Sequence, residues 1–278
     1  MKKNTKLILI LIAFIIIVLI GIVLAYPSLI HKKEKKEKIE YVSREQKIHV
    51  DTITIKDSSK YYYCNIEYPQ VQELNNKNVE QKINQFFKQK YEQNKNENIK
   101  EMNNEGKEME KEGGNSQWVM QSTDETHFKV FYPTPNIITF KFNNSSYGAG
   151  AAHPMSGSYT YNFNINNGNI IELKDLFKSN SKYLQIISRY CNKELHVKLK
   201  ENSDDNWINE GSSPTKENYS CYTIKDDGIL FTFGEYQVAC YADGQQEVLI
   251  PYSELSEILN KDIIPYKNFT KVTHLTKH

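Results

Sequence analysis

Tyr159-Thr160-Tyr161-Asn162-Phe163-Asn164-Ile165-Asn166-Asn167-Gly168 is the stretch that decides how this chain folds. Large apolar and polar side chains alternate with a period of two. That puts Tyr159, Tyr161, Phe163 and Ile165 on one face of a half-buried strand. Asn167-Gly168 is a tight-turn dipeptide, and Ile170 to Leu173 is the expected return. A sheet made of such hairpins is antiparallel and needs something to cover its apolar face.

The same signature recurs on the N-terminal side. Ile48, Val50, Ile53 and Ile55 alternate, Asp57-Ser58-Ser59 reads as a turn, and Tyr61 to Tyr68 as the returning strand, ended by Pro69. Trp118 to Tyr132 and Asn136 to Asn143 read as two more strands about Pro133-Thr134-Pro135. Between these pairs, Asn75 to about Glu112 is expected to be helical. Val79, Ile83, Phe86 and Phe87 share one face, the stretch from Asn94 to Lys111 is solvated, and Gly113-Gly114 is the stop.

On the C-terminal side Asp175 opens a short helical stretch, and a second helix is expected from Lys182 to Leu199. Leu184, Ile187, Cys191 and Leu195 would line its buried face. Residues 202–218 read as a polar loop. Cys221 to Ile224 and Ile229 to Phe233 flank the turn Asp226-Asp227-Gly228. Glu247 to Ile250 is the last strand, and Pro251 to Leu259 a short helix. The fold class is α+β: an N-terminal transmembrane helix followed by two sub-domains, each an antiparallel sheet with a helix. The expected divisions are an anchor over 1–30, a charged juxtamembrane stalk over 31–46, sub-domains over 47–145 and 146–262, and a loosely ordered tail over 263–278.

The anchor rests on Leu7 to Leu24, an unbroken apolar run without charge or proline. As a helix it spans roughly 27 Å, close to the hydrocarbon thickness of a bilayer. The expectation is a single-pass chain with a cytoplasmic N-terminus and residues 31–278 outside the cell. The alternative is secretion after cleavage, because Val23-Leu24-Ala25 resembles a signal-peptidase site. No Cys follows the run, which argues against a lipoprotein.

A formal net charge of +1 offers no field for nucleic acid. The chain has no H-E-x-x-H, no G-x-S-x-G, no G-x-G-x-x-G and no phosphate-binding glycine loop. Its histidines do not cluster at ligand spacing, so no metal and no cofactor is expected, and the reading is of a protein that is not an enzyme. His153 is the one catalytic temptation, yet a lone loop histidine is far more often a hydrogen-bonding or packing residue. Cys64, Cys191, Cys221 and Cys240 include no C-x-x-C pair. A disulfide between Cys191 and Cys221 is expected. It would close a loop of about thirty residues and add roughly 3–4 kcal/mol in the chain-entropy model.

Three segments taken together resemble a known pair of domains. They are Ser146-Tyr147-Gly148-Ala149-Gly150-Ala151-Ala152-His153-Pro154; Gly168 through Leu173-Lys174-Asp175-Leu176-Phe177; and Asp227-Gly228-Ile229 through Tyr241-Ala242-Asp243-Gly244 to Ile250-Pro251-Tyr252-Ser253-Glu254-Leu255. Their order and spacing resemble the extracytoplasmic region of the lysozyme-binding anti-sigma-V factor family. The same paired domains of unknown function are found N-terminal to some peptidoglycan deacetylases. The resemblance covers roughly residues 47–260. It implies a binding module at the cell wall, whose partner is a lysozyme-like muramidase or peptidoglycan glycan. The alternative it implies is a wall-active enzyme or an accessory domain related to the deacetylases. It also implies a contact surface made of two loops, Ser146 to Pro154 and Glu235 to Gly244. The residues expected there are Ser146, Tyr147, Gly148, Gly150, His153, Pro154, Tyr236, Cys240, Tyr241 and Gly244, with Cys240 standing where relatives usually carry proline. Only Met1 to Lys6 precede the apolar run, and the chain ends after the pair. Sigma binding and deacetylation are therefore not expected of it.

Overall fold

The computed structural model describes residues 40–42, 47–92, 95–112, 121–199 and 204–264. The expected anchor, most of the expected stalk and nearly all of the expected tail lie outside these residues. Among the described residues no helix is long and apolar enough to cross a membrane.

Six strands form one sheet in sequence order: β1 (Glu40–Val42), β2 (Lys47–Ser58), β3 (Tyr62–Gln72), β4 (Ser122–Thr134), β5 (Ile137–Tyr147) and β6 (Met155–Asn164). Three more form a second sheet: β7 (Tyr222–Ile224), β8 (Gly228–Phe233) and β9 (Gln246–Pro251). The fold is mixed α+β, as expected, with four corrections to its anatomy. The boundary at 145/146 cuts through β5, and β6 pairs with β5 along its length, so the break between the two layers comes after β6. The last part of the stalk pairs with β2 as β1. Ile264 at the start of the tail is buried in the second core. The first sheet is not wholly antiparallel, because β3 and β4 run parallel over Tyr62–Ile66 and Ser122–Thr126. Helices α1 (Lys77–Glu92) and α2 (Lys95–Glu112) make the crossover that parallel strands need.

Pro69 does not end β3. It pairs with Thr52 of β2 inside the strand, at a point where β3 has no partner on its other side. Its missing N–H therefore costs no ladder bond. Helix α1 begins where Asn76 Oδ1 accepts from the amides of Asn78 (3.1 Å) and Val79 (3.3 Å). Its buried residues Val79, Ile83, Phe87 and Tyr91 recur at helical spacing and cover the sheet. Phe87 is fully buried, with ring centroids of Phe140, Phe142 and Phe163 at 5.0, 5.7 and 5.6 Å.

The second core lies between the small sheet and α3 (Tyr183–Leu199). Ile187, Cys191, Leu195 and Leu199 pack there with Phe231, Phe233, Val248 and Ile250. Tyr219, in the 3-10 turn Glu217–Tyr219, stands edge-on to Phe231 and Phe233. Between the two sheets the packing is polar. On β5, Thr139 and Lys141 alternate with Phe140 and Phe142, so they face away from α1 and toward the small sheet. Thr139 Oγ1 donates to Asn162 Oδ1 (2.7 Å), and Thr160 Oγ1 to the Tyr222 carbonyl (2.6 Å). Lys141 Nζ donates to Thr232 Oγ1 (3.0 Å) and pairs with the Glu247 carboxylate.

All four cysteines are free thiols, so the expected Cys191–Cys221 disulfide is absent. Cys191 points from α3 into the second core. Cys221 lies beside Thr232 and Lys141, on the opposite face of the small sheet. A sheet separates the two sulfurs, a relation that position in sequence does not reveal.

Candidate functional site

The two loops singled out in the sequence come together. His153 stacks on Tyr241 with ring centroids 4.0 Å apart, and Tyr236 lies 5.9 Å from Tyr241. His153 Nδ1 donates to the Pro154 carbonyl (3.0 Å), because a carbonyl can only accept. In the neutral ring Nε2 is then the acceptor, and it faces the Tyr236 hydroxyl at 3.2 Å. Tyr241 donates to the same Pro154 carbonyl (3.0 Å), and the Ser156 amide donates to Glu235 Oε2 (2.9 Å). Three rings thus form one platform. Tyr236 is 43% exposed, while His153 and Tyr241 are half-buried.

Tyr236 holds a φ of 64°, a left-handed conformation that tyrosine rarely adopts. Neighbours impose it. Helix α4 (Asp205–Gly211), capped by the Asp204 carboxylate on the Asn206 amide, sets Trp207 so that Nε1 donates to the Tyr236 carbonyl (2.7 Å). Gln237 Nε2 donates to the carbonyls of Gly211 and Asn218, both at 3.0 Å. Gly211 is close-packed against this loop, since a Cβ there would lie 1.8 Å from the Gln237 carbonyl oxygen. Strain held in place by its surroundings is a common mark of a site built for contact.

The remaining expected residues divide. Cys240 precedes the 3-10 turn Tyr241–Asp243 and its thiol donates to Asp243 Oδ2 (3.1 Å). Gly244 has a φ of 64° with open space around it. Pro154 belongs to the platform through its carbonyl. Ser146 and Tyr147 are not loop residues, because they close β5, paired with Met155 and Thr123. Gly148 is exposed with nothing near its Cα face. Gly150 has a φ of 81°, and a Cβ there would lie 2.7 Å from Met109 Cε of α2. Ser146 therefore lies in the row of Asn144 on the α2 side of β5 and Tyr147 in the opposite row, Gly150 stands against α2, and Gly148 faces solvent.

Trp207, outside both expected loops, and Glu235 and Gln237, inside the expected Glu235–Gly244 loop, complete the site. Trp207 lies in 202–218, expected to be a polar loop, where the described residues contain α4 and the start of a 3-10 turn. The signal present was Asp204-Asp205-Asn206 before Trp207, a helix N-cap pattern.

Comparison with known proteins covers both layers. Residues 55–156 match the family model described as deacetylase PdaC, and residues 174–253 match a family described as a protein of unknown function, DUF3298. A curated relative, the peptidoglycan-N-acetylmuramic acid deacetylase PdaC of Bacillus subtilis strain 168, is 32% identical over 146 residues. That match takes in 52% of this chain and 31% of the relative, so the chain spans about a third of its length. A DUF3298-family crystal structure from Bacteroides fragilis superposes with a TM-score of 0.61 at 18% identity, covering 78% of this chain and 95% of that one. A second, from Pseudomonas aeruginosa PAO1, gives 0.54 at 10% identity, covering 78% and 97%. These two likenesses concern the fold alone. The six-stranded layer thus carries the likeness to the PdaC model, and the layer of α3 and the small sheet carries the likeness to DUF3298.

Proposed function

We propose that this chain is a recognition module of the bacterial cell wall that binds peptidoglycan or a protein working on it, and that it binds rather than catalyses. The observation that carries this reading is the platform of His153, Tyr236 and Tyr241, buttressed by Trp207. Aromatic rings held rigid and partly exposed give large contact area at small entropic cost, and they suit both sugar faces and protein pockets. The match to PdaC, a peptidoglycan-N-acetylmuramic acid deacetylase, favours a wall ligand over other choices. Both ring nitrogens of His153 are engaged, with the Pro154 carbonyl and the Tyr236 hydroxyl, which fits a positioning role for that ring. The apolar run Leu7 to Leu24 supports an anchored, outward-facing chain, and residues accessible to protease on intact protoplasts would check it.

A second reading, capture of a lysozyme-like muramidase, is favoured by the tyrosine-rich make-up of the platform, since tyrosine is enriched at protein hot spots. The test is retention of the full chain, in mild detergent, on purified sacculi and on immobilised muramidase. Tyr241→Ala should weaken the true interaction by about one to two powers of ten, for a loss of roughly 2 kcal/mol. No retention on either support, or retention unchanged in the variant, would overturn the assignment of this surface.

A further inference from the structure

The face of the large sheet that looks at the helices changes character along its length. Under α1 it is aromatic: Phe128 and Val130 on β4, Phe140 and Phe142 on β5, Tyr161 and Phe163 on β6. Toward α2 the same rows continue as Thr126, Asp124 and Ser122 on β4, then Asn144 and Ser146 on β5, then Gly157 on β6. A helix over a sheet would ordinarily cover apolar residues. Here α2 roofs a groove with a polar floor.

One lobe of the groove is a cavity of about 280 Å³ reaching from Cys64 to Tyr159, and a second of about 440 Å³ runs on to Gly148. Asn98, Met102, Asp124 and Asn144 line both lobes, so the two are continuous. The Asp124 carboxylate and the Asn144 amide both border the two lobes, and no hydrogen bond acts on the Asp124 carboxyl among the described residues. Burial holds the Asp124 carboxyl above its ordinary value. Both side chains are half-buried, so their free hydrogen-bonding capacity faces the groove, where a ligand can take the place of water.

The surroundings narrow its chemistry. A metal ion is disfavoured, because no group of three ligating side chains exists among the described residues. An anion is disfavoured by Asp124 and by Glu101 and Glu105 on the roof. The two lysines of the first lobe are already engaged: Lys95 faces Asp57 at 3.6 Å, and Lys90 lies 5.6 and 5.4 Å above the rings of Tyr159 and Tyr161. What fits is a neutral molecule rich in hydroxyl and amide donors. Ile66 on β3 beside β4, and Ile99 and Met102 of α2, add apolar surface to the first lobe. A pyranose has this dual character, with hydroxyls at its rim and C–H bonds on its faces, and an acetamido group adds a donor and a methyl.

We infer that the groove between α2 and strands β4–β5 is a glycan subsite for an N-acetylated pyranose, with Asp124 and Asn144 reading its hydroxyl and amide groups. The inference rests on the wall-recognition reading above but places the sugar at a site apart from the aromatic platform.

Chitotetraose, a soluble β-linked oligomer of N-acetylglucosamine, is the probe, titrated calorimetrically into the full chain. Wild type should bind, and Asp124→Asn should bind at least tenfold more weakly while its thermal midpoint holds or rises, because an unpaired carboxylate has been neutralised. Asn144→Leu should act likewise, and Tyr241→Ala should leave the titration unchanged. If wild type captures sacculi but does not bind chitotetraose, the groove is not a glycan subsite and the wall reading survives. If Asp124→Asn binds as wild type does, the sugar sits elsewhere and the inference is overturned. Binding of chitotetraose that Asp124→Asn abolishes, without capture of sacculi, would uphold the subsite and overturn the wall reading.

Discussion

Removing the Glu247 carboxylate should harm this protein more than removing the lysine it pairs with. Lys141 is held between the two sheets with a side chain only 9% exposed, whereas Glu247 is 43% exposed at the rim. Glu247→Ala leaves the ammonium buried with Thr232 Oγ1 as its remaining partner among the described residues. Breaking a buried pair from one side costs ~3–5 kcal/mol. Water already reaches Glu247, which screens the pair and brings the expected loss to about 2 kcal/mol. Lys141→Met instead puts a thioether where the stem lay and leaves Glu247 free to meet water, so its cost should stay within about 1 kcal/mol. Burial pushes the Glu247 carboxyl up from its ordinary 4.5, but the hydrogen bond and charge of Lys141, with help from Thr232, outweigh that and hold it below. A depressed carboxyl stabilises the fold above its unfolded value and loses that contribution as pH falls through the folded one. The gap between wild type and Glu247→Gln should therefore be full at neutral pH and close below about pH 4. Urea unfolding followed by circular dichroism measures both effects. Equal losses for Glu247→Ala and Lys141→Met, or a gap that ignores pH, would refute the picture of a buried cation held by a rim carboxylate.

Two further outcomes follow from packing. Phe87→Ala empties the centre of the aromatic core and should cost about 3–5 kcal/mol in the same unfolding assay. Gly211→Ala sets a Cβ against the Gln237 carbonyl, so it should displace the Glu235–Gly244 loop; loss of Trp207 emission characteristics and of ligand retention, with only a modest fall in the thermal midpoint, would report it.

The sequence carried the β2–β3 and β7–β8 hairpins and the helices α1 and α3 because their signals are local, whereas the return expected over Ile170 to Leu173 is no strand: Ile170 makes a single bridge to Phe163 and a 3-10 turn follows at Leu173–Leu176. Alternation in Ile48–Ile55, Asp226-Asp227-Gly228 between two strands, and Val79-Ile83-Phe87 on one stripe each need only nearby residues to be read. What it hid were relations across space. The 145/146 boundary failed because nothing in Tyr159–Ile165 says which sheet that strand joins. The Cys191–Cys221 pairing failed because a sheet stands between two positions that look compatible on a line. Of the candidate surface, the meeting of His153 with Tyr236 and Tyr241 was legible through resemblance. The supporting Trp207 was not, because the short helix that aims it lies in a polar stretch. The unpartnered Asp124 was equally invisible, since an acidic residue in an alternating strand reads as facing solvent until a helix is found above it.

The parallel join of β3 to β4 bears on the order in which the molecule assembles. Tyr62 pairs with Ser122 across the whole α1–α2 crossover, whereas β2–β3 and β4–β5–β6 are closed by short turns. Short closures form first, and the long one pays its chain entropy before any contact rewards it. Two preformed blocks would then wait for α1 to dock. During that wait Phe128, Phe140, Phe142 and Phe163 stand open on one face of the β4–β6 meander, and this is the interval in which one copy can stick to another.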